Sequence, residues 1–125
     1  MTMTYHHITA AGLTDPGCVR DHNEDRFLMD PPRGLFLVAD GMGGYRNGAV
    51  ASRATCELFA MEFNPQADKP GHHLHNLTIQ VNQAIYSQGT AKGEEMRMGA
   101  TFLAAVITGT TLHLCHLGDV RAYRL

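Results

Sequence analysis

The chain has 125 residues, 44% hydrophobic and 18% charged, a balance that predicts one globular domain and excludes disordered, collagen-like and coiled-coil chains. Ten Lys and Arg against twelve Asp and Glu leave a formal net charge of −2, which argues against nucleic acid and anionic membranes as partners. Three scattered cysteines without a C-x-x-C pair, and no apolar run suited to export or membrane anchoring, favour a reducing cytoplasm.

The first predicted element is a β-hairpin. Two short apolar runs, 26–30 and 35–40, flank the turn cluster Pro31–Gly34. With these four residues as the loop, the ladder can be counted back to the open end of the hairpin. The pairs predicted there are Asp25 with Asp40 and Glu24 with Gly41.

Two helices are predicted next from apolar spacings of three and four residues. The first begins at Asn47, a suitable N-cap, and ends before Asn64-Pro65. A loop over 64–71 separates it from the second helix, which has Gly89 just past its end. The apolar stripes are Val50, Ala54, Leu58 and Met61 in the first helix, and Leu74, Leu77, Val81 and Ile85 in the second.

Strands are predicted in the last part of the chain. Residues 89–98 lack periodicity and read as a mobile connection, after which 101–108 form a buried strand and 111–117 a second one. Residues 121–125 read as the start of a third strand. Because a strand needs a neighbour for its hydrogen bonds, and none follows, we expect the chain to be cut short.

The open end of the hairpin concentrates acidic residues. Like charges directly opposed on two strands destabilise the pair, and a hard divalent cation would remove the conflict. Glu24, Asp25, Asp40 and the Gly41 carbonyl therefore make a partial Mg²⁺ or Mn²⁺ site, although acidic strand ends that are merely solvated are common. The glycine-rich segment DGMGGYRNG after the strand would allow close backbone approach to an ion.

Two further side chains could act at this end of the sheet. The guanidinium of Arg20 matches two oxygens of a phosphate monoester, although a surface arginine is the simpler reading of its position. Asp119 follows a strand whose register places it near Ala100, so it could supply another carboxylate.

Competing motifs fail on spacing. An EF-hand loop begun at Asp21 would require glycine and glutamate where the chain has Arg26 and Pro32, and the glycine cluster lacks the Lys-Ser/Thr ending of a P-loop. Among the clustered histidines only His72 and His75 have a helical ligand spacing, without an acidic partner nearby. No Ser-His-Asp or Cys-His set can be recognised, which argues against nucleophilic side-chain catalysis.

Four ordered motifs nevertheless carry a specific resemblance. They are RDHNEDR at 20–26, FLVADGMGG at 36–44, GATFLAAVI at 99–107 and LGDVRAYRL at 117–125. Together they resemble the metal-dependent Ser/Thr protein phosphatases of the PPM superfamily, type 2C, in their bacterial form. The resemblance implies an α+β fold in which an antiparallel β-sandwich is flanked by helices, with a binuclear Mn²⁺ or Mg²⁺ centre at one end.

The resemblance also implies roles for individual residues. Glu24, Asp40 and the Gly41 carbonyl match metal ligands of the family, and Asp25 matches the acidic residue beside the centre. Arg20 matches the phosphate-binding arginine, and Asp119 the aspartate of a third, weaker metal site. The implied reaction is attack on phosphoserine or phosphothreonine of a protein substrate by a water that bridges two metals, without a protein nucleophile.

The sequence departs from the family pattern in three places. Met42 stands where some relatives have a histidine, Val120 replaces the serine of a GDSR motif, and no SDG or DN motif follows. Residues 1–125 are therefore expected to be the N-terminal half of one phosphatase domain, weak or inactive alone and open to self-association through uncovered strands. The alternative is a non-catalytic module that binds phosphopeptides or assembles with other chains.

Overall fold

The computed structural model describes residues 7–43, 47–91 and 98–125. They form four strands and two α-helices, together with a 3-10 turn at Pro31–Arg33 inside the hairpin. In chain order the main elements are β1 (Asp25–Asp30), β2 (Leu35–Met42), α1 (Asn47–Glu62), α2 (Pro70–Ala91), β3 (Gly99–Thr108) and β4 (Thr111–Leu117).

The β1–β2 hairpin has the predicted turn and register. Asp30 caps the turn: its carboxylate accepts the backbone N–H of Arg33 and pairs with the guanidinium at 2.5 Å. Gly34 closes the turn at φ +66°, a conformation that glycine adopts without strain. The turn therefore fixes the ladder that aligns Asp25 with Asp40 at the far end.

The four strands form one antiparallel sheet in the order β1-β2-β3-β4. Alternation along β2 and β3 gives the sheet an inner face of buried residues and an outer face that is more exposed. Leu35, Leu37 and Ala39 point inward from β2, whereas Val38 and Asp40 point outward. The α+β class is confirmed, and the described residues form one of the two sheets expected for the sandwich.

Both helices contribute to the core on the inner face. The predicted stripe of α2 is confirmed, because all four of its residues are at most 2% exposed: Leu74, Leu77, Val81 and Ile85. Against them pack the inward residues of β2 and β3, with the Phe59 and Phe102 rings meeting edge to face at 5.3 Å. Each such buried side chain contributes about 1.5–3 kcal/mol through removal from water.

The predicted stripe of α1 is wrong by one position. Met61 is 72% exposed, and Val50, Ala54 and Leu58 lie only at the margin of the core. The buried residues are small or hydroxyl-bearing, namely Gly48, Ala51, Ser52, Thr55 and Cys56, followed by Phe59. A count of apolar residues misses Ser52 and Thr55, whose hydroxyls are buried because they donate to carbonyls of their own helix.

Three further boundaries differ from prediction. Gly89 lies inside α2 and is buried, and the helix already begins at Pro70 within the predicted loop. Residues 121–125 form no strand, since no described strand lies beyond β4 to accept their hydrogen bonds. Most of the predicted connection, 92–97, lies outside the described residues. No helix in the described part of the chain is long and apolar enough to cross a membrane.

Candidate metal centre

The ends of β1 and β2 bring two carboxylates together. Asp25 and Asp40 are directly opposed in the ladder and point to the outer face of the sheet. Their carboxyl groups lie close enough for a hydrogen bond when one of them is protonated. The hairpin turn thus enforces an arrangement of like charges that the isolated strands would avoid.

This proximity changes the acidity of Asp40. Its pKa is raised above the ordinary 3.8, first because neighbouring groups partly remove its carboxyl group from water, and then because of the charge and hydrogen bond of Asp25. The charge of Asp119 raises the pKa further, and that of Arg20 lowers it. Three other predicted site residues, Asp25, Asp119 and Arg20, therefore lie near enough to influence the Asp40 carboxyl group.

Glu24 reaches the same end of the sheet through its backbone. The Gly41 N–H donates to the Glu24 carbonyl at 3.0 Å, which confirms the predicted pairing of these residues. The Glu24 side chain lies against the start of α1, where a Cβ on Gly48 would come within 2.6 Å of its carboxylate. An acidic group at a helix N-terminus is stabilised by the helix dipole.

Two glycines make this close packing possible. A Cβ built on Gly41 would lie 1.7 Å from the Gly48 carbonyl oxygen, so β2 cannot accommodate a side chain at this position. Glycine at position 41, in the described start of the glycine-rich segment, is therefore required for the contact between β2 and α1. Residues 44–46 of the segment lie outside the described residues.

An N-terminal segment borders the acidic pair. The Asn23 side chain donates to the Thr14 hydroxyl at 2.8 Å and accepts the Asp25 N–H at 3.0 Å, which ties the segment to the start of β1. A cavity of about 350 Å³ lies between them, with Asp15, Asp25 and Asp40 in its wall. Asp15, whose carboxylate accepts the Gly17 N–H at 2.7 Å, belongs to no periodic pattern or motif of the sequence.

The donors at this end of the sheet are oxygens, a set that suits Mg²⁺ or Mn²⁺. In the described residues, however, no group of three or more His, Cys, Asp or Glu side chains is arranged to hold a metal ion. The structure brings Asp25 and Asp40 together, with Asp119 and Arg20 nearby and the Glu24 carboxylate directed to α1. The ligand roles of Glu24, Asp25, Asp40, Gly41 and Asp119, and the phosphate role of Arg20, stay predictions.

Sequence patterns did not predict the contacts of two residues of this region, although Gly48 belongs to the predicted glycine-rich segment. Gly48 is recognisable only once α1 packs on β2, and Thr101 only once β3 pairs with β2 opposite Asp40. The Thr101 contact joins segments far apart in the chain, for which the single sequence carried no register signal.

The family model for protein phosphatase 2C matches residues 19–124. Among curated relatives, the chain is 36% identical over 119 residues to the serine/threonine protein phosphatase PstP of Mycobacterium tuberculosis, covering 92% of the chain and 22% of that protein. It is 31% identical over 120 residues to the serine/threonine phosphatase stp of Listeria innocua, covering 90% and 48%. The chain thus spans about half the length of the Listeria relative.

A solved structure of a serine/threonine phosphatase has a similar fold. The crystal structure of the PstP catalytic domain in complex with two manganese ions superimposes with a TM-score of 0.75 at 31% identity. The match covers 86% of this chain and 46% of that one.

Proposed function

The chain belongs to the protein phosphatase 2C family, and on that basis we propose that it takes part in metal-dependent hydrolysis of phosphoserine and phosphothreonine in proteins. Its relatives are serine/threonine phosphatases, and one of them is known in complex with two manganese ions. The proposal concerns the domain to which this chain contributes, since the chain spans 48% of its Listeria relative.

In this proposal the acidic strand ends hold the cations. Asp40 and Asp25 provide the central carboxylates, Glu24 and the Gly41 carbonyl complete the set supplied by β1 and β2, and Asp119 adds a weaker site. Bound Mn²⁺ or Mg²⁺ supplies an activated water and neutralises charge on the phosphoryl group. The number of cations and the choice between the two metals belong to the proposal.

Arg20 has the substrate role. Its guanidinium lies close enough to Asp40 to lower that residue's pKa, so it supplies a positive charge beside this carboxylate. A planar guanidinium can donate two parallel hydrogen bonds to phosphate oxygens, and it stays charged at all physiological pH values. We assign it the orientation of the phosphoryl group over the carboxylates.

The observation that carries the proposal is the enforced pair of Asp25 and Asp40. Two carboxylates facing each other across a ladder, with the pKa of one raised, are costly unless a cation lies between them. The pair coincides with two family motifs, at 20–26 and 36–44, inside the matched range 19–124. A site that lowers stability without metal is typical of functional positions.

The test is phosphate release from a phosphothreonine peptide by the 125-residue chain in the presence of Mn²⁺. We expect slow, Mn²⁺-dependent release that Asp40→Asn abolishes and that Asp68→Asn leaves unchanged, because Asp68 is an exposed loop residue between the helices. Release that persists in Asp40→Asn would contradict the proposed role of the strand ends.

A non-catalytic assembly module is the second candidate, and the outer face of the sheet favours it. Leu112, Leu114 and Val38 are 56%, 50% and 45% exposed on this face, a large apolar area for a surface. Peptide binding that needs no Mn²⁺, with no phosphate release at any Mn²⁺ concentration, would support this candidate over the phosphatase.

A further inference from the structure

Thr101 lies on the opposite side of Asp40 from Asp25. In the β2–β3 ladder Asp40 pairs directly with Thr101, just as it pairs with Asp25 in the β1–β2 ladder. Ala100 and Phe102, the neighbours of Thr101, are buried on the inner face, so Thr101 points to the outer face with Asp40. Directly opposed residues have Cβ atoms about 4.5–5.5 Å apart, within reach of a hydroxyl–carboxylate hydrogen bond.

The Thr101 hydroxyl is buried and unused within the described structure. Its oxygen is shielded from solvent and has no hydrogen-bond partner among the described residues. Two other buried threonines show the usual solution: Thr55 and Thr78 donate to carbonyls of their own helices at 2.8 and 2.9 Å. A buried hydroxyl without a partner costs free energy, so its retention calls for a specific explanation.

The turn after β4 packs against the Thr101 side chain. Gly118 has φ +92° and lies directly against Thr101, where a Cβ on the glycine would come within 2.4 Å of the threonine Cγ2. The next residue is Asp119, whose charge acts on Asp40. Thr101 is thus enclosed between Asp40 and the Gly118-Asp119 turn, both of which belong to the candidate metal centre.

We propose that Thr101 is a positioning residue of this centre: with a cation bound, its hydroxyl, unpaired in the described structure, donates a hydrogen bond to the Asp40 carboxylate and orients it toward the cation. The inference rests on the proposed function. A hydrogen bond to an ionised carboxylate is stronger than one between neutral groups, and partners that orient metal ligands typically change metal affinity 10–100-fold. Asp40 on the central strand β2 is then held from both neighbouring strands.

The experiment compares Thr101→Val, which keeps the shape and removes the hydroxyl, with Thr101→Ser, which keeps the hydroxyl. Mn²⁺ affinity is measured from the electron paramagnetic resonance signal of free aqueous Mn²⁺, and unfolding by urea is followed in EDTA. We expect Thr101→Val to weaken Mn²⁺ binding about tenfold or more, and Thr101→Ser to retain most of the affinity. Metal-free Thr101→Val should be at least as stable as the wild type, because it loses a hydroxyl that has no partner.

Asp40→Asn distinguishes failure of the inference about Thr101 from failure of the proposed function. If the wild type binds Mn²⁺, Asp40→Asn does not, and Thr101→Val binds like the wild type, the inference about Thr101 is overturned and the proposed function stands. The inference is also overturned if Thr101→Val loses metal-free stability but keeps its Mn²⁺ affinity, because the residue then has a structural role. Equal weakening of Mn²⁺ binding in Thr101→Val and Thr101→Ser would overturn it as well, because the effect is then steric. A wild type that binds no Mn²⁺ overturns both.

Discussion

Substitution of Gly48 by alanine should separate the stability of the fold from the integrity of the acidic site. A Cβ at this position would meet the Glu24 carboxylate at 2.6 Å, about 0.8 Å short of the 3.4 Å at which ordinary contacts begin. The obstructing group is the end of a flexible side chain, so Glu24 can move without disturbing the backbone. Because alanine favours a helix by up to about 1 kcal/mol over glycine, the metal-free chain should lose little or no stability.

The displaced carboxylate should be measurable through metal binding. Loss of a well-placed ligand or its orientation typically costs about 10–100-fold in affinity. Urea unfolding in EDTA gives the stability of Gly48→Ala, and calorimetric titration with Mn²⁺ gives its affinity. We expect near wild-type stability together with binding weakened at least about tenfold.

Gly41→Ala is the matched comparison. Its Cβ would lie 1.7 Å from the Gly48 carbonyl oxygen, a backbone atom that can move only with α1 as a whole. Overpacking of this kind costs typically about 1–3 kcal/mol or more, so Gly41→Ala should lower the free energy of unfolding markedly. The reasoning is refuted if Gly48→Ala binds Mn²⁺ like the wild type, or if the two variants lose the same stability.

Three further predictions concern titration, the core and the thiols. Because the pKa of Asp40 is raised on folding, its contribution to metal-free stability is fully favourable below about pH 3.8 and is lost as the pH rises through the raised value. Urea unfolding across this range should therefore show a loss of stability in the wild type that is absent from Asp40→Asn. Parallel stability profiles of the two chains would contradict this prediction. Leu77→Ala should lower the free energy of unfolding by about 2–5 kcal/mol, whereas Ile79→Ala, at a 45% exposed position of the same helix, should change it far less. Equal losses of stability in urea unfolding would argue against the buried face assigned to α2. Burial raises the pKa of the Cys56 thiol to about 11, so iodoacetamide at neutral pH should label exposed Cys18 in the native chain and Cys56 only after denaturation. Labelling of Cys56 in the native chain, detected by mass spectrometry, would contradict this prediction.

Local chemistry explains which parts of the fold can be read from the sequence. The hairpin register follows from the turn, because Asp30, Arg33 and Gly34 fix the loop length and so align Asp25 with Asp40. The stripe of α2 is readable because its buried positions are all large and apolar. In both cases the information lies within one or two adjacent segments.

Long-range packing explains what could not be read. The buried face of α1 contains Ser52 and Thr55, which hydropathy counts as polar although each satisfies its hydroxyl within the helix. The Thr101–Asp40 pair depends on β3 pairing with β2 across 60 residues of chain, and no turn links these strands. The sequence alone therefore predicted that Asp25 and Asp40 face each other, but not which residues pack around them.

The proposed metal-binding role of the acidic strand ends opposes the stability of the metal-free chain. Asp25 and Asp40 face each other at the open end of a hairpin that would be more stable with a neutral pair. Removal of one charge should therefore stabilise the metal-free chain and destroy its response to metal. These opposite effects distinguish a metal centre from acidic residues that are merely solvated.

Thermal unfolding with and without Mn²⁺ tests the central claim most directly, with wild type, Asp40→Asn and the loop control Asp68→Asn measured side by side. A ligand that binds only the folded state raises the melting temperature, and the stabilisation grows with the logarithm of one plus the ratio of free ligand concentration to Kd. We predict that Mn²⁺ raises the Tm of the wild type and of Asp68→Asn but not that of Asp40→Asn, whose metal-free Tm equals or exceeds the wild-type value. An equal rise in all three chains, or a rise in none, would contradict the claim that Asp25 and Asp40 are brought together to hold a divalent cation.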